Sequence, residues 1–123
     1  MGTTVERCDL APGFHISRVL TGLWQIADME RDDRELNLQE TAAAMAPYVE
    51  AGFTTFDMAD HYGSAEDIAG IFSDQRDVAG EVQLLTKWVP KPGLVAREDV
   101  RAAVGQSLDR LRVDRLDLLQ FHT

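Results

Sequence analysis

The chain has 123 residues, of which 45% are apolar and 27% charged, enough for one domain with its own core and ordinary for a soluble globular protein. Its net charge of −9 lacks the basic footprint that nucleic acids and anionic membranes require. With a single cysteine, Cys8, no apolar run long enough to span a bilayer and acidic residues Glu6 and Asp9 where a leader would lie, the expectation is a cytoplasmic protein without disulfide, membrane or nucleic-acid partners.

Residues 5–16 read as an irregular or hairpin-like lead-in, with Leu10, Phe14 and Ile16 as its apolar points. Val19-Leu20-Thr21-Gly22-Leu23-Trp24 reads as a first strand, and the charge-crowded stretch 28–36 as an exposed loop. A helix is expected over about 37–51, because Leu38, Ala42, Met45 and Val49 recur on one face. Pro47 removes a backbone bond inside it and should kink it or end it early. Gly52 suits the left-handed position just past its end.

Phe53-Thr54-Thr55-Phe56-Asp57 is strongly β-prone and predicts the second strand. After a loop from Met58 to Gly63, Ser64-Ala65-Glu66-Asp67 has a capping-box pattern that opens a second helix with Ile68, Ile71 and Phe72 on its buried side. Val82 to Lys87 reads as the third strand and Pro90 to Gly93 as a loop. Val100, Ala103, Val104, Ser107, Leu108 and Leu111 form the stripe of a third helix. Glu98 and Asp99 near its start and Arg110 and Arg112 near its end complement its dipole. Leu116 to Phe121 is the fourth strand, closed by His122. Strands joined by helices in this order pair in parallel through right-handed crossovers. That order alone fits either half of a (β/α)8 barrel or a doubly wound sheet.

The polar residues favour the barrel. Asp57, Lys87 and His122 each end a predicted strand. Groups at the same end of consecutive parallel strands converge on one mouth, the place where barrel active sites form. Tyr62, in the loop after the second strand, can reach the same mouth. Singly, each has an ordinary structural reading: a turn cap, a solvated strand end, a packed histidine. Together they point to catalysis. Other chemistries find no support: there is no G-x-G-x-x-G, P-loop or G-x-S-x-G, and His15, His61 and His122 lack metal-ligand spacing.

Gly22-Leu23-Trp24, then Phe56-Asp57-Met58-Ala59-Asp60-His61-Tyr62-Gly63-Ser64-Ala65-Glu66, then Thr86-Lys87, then Asp117 to His122 resemble the aldo/keto reductase superfamily in the right order. The resemblance runs from about residue 16 to the end. It implies the N-terminal half of a (β/α)8 TIM barrel, with about four parallel strands and three helices after a short lead-in. Residues 1–123 would then form a partial domain that stops after its fourth strand. It further implies reduction of an aldehyde, ketone or sugar by hydride transfer, with NADP(H) as the expected cofactor, NAD(H) as the alternative, and no metal. Tyr62 would be the general acid, Lys87 the ammonium that eases its proton loss, Asp57 the carboxylate that holds Lys87, and His122 the group that orients the carbonyl. Gly22, Leu23, Trp24 and Asp57 would lie at the nicotinamide, while Trp24, Trp88 and His122 would line the substrate pocket. Asp60 and His61 read as exposed loop residues.

In the family, most groups that grip the cofactor come from strands five to eight. A full barrel of this kind needs about 250 residues, so a fragment of a longer protein is one expectation. Self-association through the open edges of the first and fourth strands is another. Two functional alternatives stay open beside the reductase: a catalytically inactive fragment, and a non-catalytic interaction or regulatory module on the same fold.

Overall fold

The computed structural model describes residues 4–25, 36–75 and 81–123. The lead-in is an antiparallel hairpin, β1 (Arg7–Ala11) and β2 (Phe14–Ser17), turning at Pro12-Gly13. β3 (Thr21–Gly22), β4 (Thr55–Asp57), β5 (Gln83–Trp88) and β6 (Leu118–Phe121) then form one parallel sheet in chain order. Consecutive parallel neighbours require a crossover at each step. The crossovers described are α1 (Leu38–Ala43) with α2 (Ala46–Glu50), then α3 (Ala65–Gln75), then α4 (Arg97–Leu111). No helix among the described residues is long and apolar enough to cross a membrane.

The expected helix over 37–51 is two short helices. Asn37 caps α1 by accepting from the Glu40 amide at 3.1 Å. The break falls at Ala44 and Met45, and Pro47 stands in the first turn of α2, where a missing N–H costs little. The chain leaves α2 through Gly52, whose φ of +99° is the positive value the position demands. The amide of Phe53 closes this end on the Tyr48 carbonyl at 2.9 Å. The first strand is shorter than expected: only Thr21 and Gly22 pair, with Phe56 and Asp57. Val19 and Leu20 precede it and are exposed, and β3 is an edge of the sheet among the described residues. The loop expected at 28–36 lies outside the described residues except for Leu36.

The core sits between the sheet and the helices. Phe56, Met58, Val82 and Leu84 meet Ala42, Met45, Val49, Ile68, Ile71, Phe72 and Leu111 there. The expected buried side of α3 is observed: Ile68, Ile71 and Phe72 are all buried. α3 packs between α1 and α4. The stripe of α4 is buried only at Ser107 and Leu111, near its C-terminal end. There the two helix backbones touch. A Cβ placed on Gly70 would lie 2.0 Å from the Arg110 carbonyl oxygen, so no side chain fits.

The hairpin closes the N-terminal end of the sheet with a polar knot. The Arg7 guanidinium donates to Thr54 Oγ1 at 2.9 Å, Gln83 Oε1 at 3.2 Å and Ser17 Oγ at 3.3 Å. Thr54 and Thr55 both donate to Gln83 Oε1, at 2.8 and 2.9 Å, and the Ser17 amide donates to Thr55 Oγ1 at 2.8 Å. A cavity of about 990 Å³ beside this knot, lined by Arg7, His15, Val82 and Arg115 among others, is therefore at the end of the sheet opposite the predicted chemistry.

Candidate active site

Alternation along β4 and β5 puts Asp57 and Lys87 on the face away from the helices, because Phe56, Leu84 and Thr86 point to the helix side. Both stand at the C-terminal ends of their strands. Lys87 Nζ donates to Asp57 Oδ1 at 2.8 Å, Asp57 Oδ2 at 2.7 Å and the Met58 carbonyl at 3.1 Å. These three bonds use all three protons of the ammonium, so its position is fixed. The Lys87 side chain is 14% exposed and that of Asp57 32%, which leaves the pair screened from bulk water on the lysine side and reachable at the carboxylate.

The loop after β4 folds back over this pair. Its course is set by backbone bonds to the neighbouring strand: Met58 N–H to the Leu85 carbonyl at 2.9 Å and Asp60 N–H to the Lys87 carbonyl at 3.0 Å. A tight turn follows, with Tyr62 N–H on the Ala59 carbonyl at 3.2 Å. Tyr62 is thereby brought over the ion pair, with Lys87 Nζ 5.1 Å from the centre of its ring. A cation over the face of a phenol is an attractive placement. Trp24 meets the Tyr62 ring edge-on at 5.1 Å.

His122 follows β6 and is fixed by its amide, which donates to the Trp88 carbonyl at 3.0 Å. Its ring stacks on His61, 5.8 Å between centres and 16° between planes. His61 in turn meets the Tyr62 ring at 4.9 Å and its Nδ1 lies 3.0 Å from Asp60 Oδ1. The structure thus brings Asp57, Lys87, Tyr62 and, through the His61 ring, His122 to one end of the sheet, with Trp24 against Tyr62. His61 joins them. It is the exposed loop residue expected, in a turn that closes on the strand ends, whereas Asp60, expected to be exposed as well, is half-buried.

Two expected site residues are placed differently. Leu23 is buried in the core between sheet and helices, and only its amide reaches the strand ends, where it donates to the Asp57 carbonyl at 2.9 Å. Trp88 pairs in register with Phe121 and its ring packs on that residue at 5.5 Å, not on Trp24, Tyr62 or His122. The reason is parity: the residue after Lys87 on a strand must face the other side. Gly22 lies beside Asp57 in register, is exposed, and has open space where a Cβ would stand.

The sequence model of the aldo/keto reductase family matches residues 18–123. The chain is 28% identical to the uncharacterised oxidoreductase YcsN of Bacillus subtilis and 28% identical to the oxidoreductase YdhF of Escherichia coli. Each alignment covers 96% of this chain and 43% of the relative, so the chain spans less than half the length of the curated relatives it matches. Among solved structures, it superposes on an aldo-keto reductase from Klebsiella pneumoniae, crystallised with NADPH, at a TM-score of 0.76 and 22% identity. That match covers 98% of this chain and 40% of the other. At that identity the likeness concerns the fold: half of an eight-stranded barrel.

Proposed function

The chain belongs to the aldo/keto reductase family, and from that premise we propose that it supplies the catalytic half of a barrel that reduces small aldehydes, ketones or sugars with NADPH. One observation carries this reading. The Lys87 ammonium, held by both oxygens of Asp57, lies over the ring of Tyr62 at the open ends of adjacent strands.

In this reading Tyr62 gives its phenolic proton to the substrate oxygen. The negative charge left on the phenol develops near an ammonium that is already in place, so little reorganisation accompanies the step. Asp57 and the Met58 carbonyl keep that ammonium from turning away. His122, backed by the stacked ring of His61, borders the position of the carbonyl and orients it. Trp24 forms a wall beside Tyr62.

A reduced nicotinamide supplies the hydride when bound. The residues present suit its ring end: Gly22 leaves room where a side chain would stand, Trp24 is 40% exposed, and Asp57 lies between them and Lys87. NADPH is favoured by the Klebsiella pneumoniae neighbour, whose crystals contain it.

The test is NADPH consumption by the purified protein with a panel of small aldehydes, beside Tyr62→Phe. Turnover that disappears in the variant is the expected result. Turnover that survives in the variant, or no consumption with any member of the panel, overturns the reading.

A further inference from the structure

Glu66 is a carboxylate only 2% exposed, in the first turn of α3. A buried charge survives only when paired and hydrogen-bonded. Here Oε2 accepts from the Thr86 hydroxyl at 2.9 Å, and Oε1 accepts from Arg110 Nη1 at 3.1 Å. Thr86 is fully buried and precedes Lys87 on β5. The same Arg110 nitrogen donates its second proton to the Asp60 carbonyl at 3.0 Å, in the loop that carries Tyr62. Arg110 is held from behind as well. It lies in the last turn of α4, where its own carbonyl is pressed against Gly70 of α3.

We propose that Glu66 and Arg110 are positioning residues for the proton donor: a buried ion pair that ties the Tyr62 loop, through the Asp60 carbonyl, to the strand that carries Lys87. The inference deepens the reductase reading and rests on it for the meaning of Tyr62. Asp60 is clamped from two sides, its amide by the Lys87 carbonyl and its carbonyl by Arg110. Two residues later the chain presents Tyr62. Without the guanidinium, the loop keeps its bond to β5 but loses the one that fixes its height above α3 and α4. Tyr62 then moves relative to an ammonium that Asp57 still holds.

Residue-by-residue amide hydrogen exchange on the full chain tests this without requiring turnover. Arg110→Met is expected to speed exchange of the Asp60 and Tyr62 amides by about tenfold or more, while the Gln83 and Arg18 amides at the far end stay within about twofold. Arg110→Lys, which can still donate to one of the two acceptors, is expected to recover part of the protection. If Arg110→Met does not fold, Thr86→Val, similar in shape, removes only the hydroxyl bond to Glu66 and is expected to speed the same two amides by about threefold. Equal acceleration at both ends of the sheet, or an unchanged loop, overturns the proposal. A protein without reductase activity but with this exchange pattern removes the functional reading and leaves the clamp standing. Activity with an unchanged loop does the reverse.

Discussion

The two ends of the parallel sheet carry polar residues in similar number but use them differently. At the N-terminal end, Arg7, Ser17, Thr54, Thr55 and Gln83 bond to one another beneath the hairpin. Ser17 and Thr55 there have no exposed surface. At the C-terminal end, Lys87 is equally well bonded, yet Asp57 and Tyr62 are only half-buried, and His61 and His122 are exposed. The first set is closed on itself, its polar atoms bonded to one another, and serves stability, whereas an open set of ionisable groups is available to a ligand. This is the division of labour expected of a barrel, in which the lower face holds the fold and the upper face does the chemistry.

Substitutions at the two ends should therefore separate activity from stability. The largest expected effect belongs to the open end: Tyr62→Phe lowers the rate of carbonyl reduction by about a hundred- to ten-thousand-fold, the range for loss of a general acid. Its melting temperature stays close to the parent, since the ring and its contact with Trp24 remain. Between the ends, Gly70→Ala forces a methyl group onto the Arg110 carbonyl and is expected to cost about 3 kcal/mol in chemical denaturation. It is also expected to loosen the Tyr62 loop, because Arg110 moves with its helix. At the closed end, Arg7→Met removes a cation that tethers the hairpin to Thr54 and Gln83, and is expected to cost about 2 kcal/mol. The smallest effect is a gain. Arg112 ends α4 with a φ of +57°, a left-handed conformation that strains a side chain. Arg112→Gly relieves the strain and forfeits an exposed ion pair with Asp74, for a net stabilisation of about 1 kcal/mol or less in the same denaturation experiment.

The open end was the more legible of the two in the sequence. Asp57, Lys87 and His122 announce themselves because each closes a β-prone run, and topology alone then brings them together. Pro47 and Gly52 likewise mark a broken helix and its exit by local rules. The closed end gives no such signal. Arg7 and Gln83 are 76 positions apart, and no periodicity links a lone arginine in a hairpin to a glutamine that opens a strand. Glu66 is hidden for a related reason. At the start of a helix it reads as part of a capping-box pattern, and only the arrival of Thr86 and Arg110 from other elements shows where its carboxylate is held. Trp88 is different, because the signal was present: a residue next to Lys87 on one strand cannot share its face.

The most direct measurement compares the ends in one experiment, recording turnover per folded molecule and thermal melting for Lys87→Met and Arg7→Met. Lys87→Met is expected to lose about a hundredfold or more in turnover per folded molecule, while Arg7→Met melts earlier than the parent and retains turnover in the fraction that is folded. Retained turnover in Lys87→Met, or lost turnover in folded Arg7→Met, would contradict the assignment of chemistry to the open end.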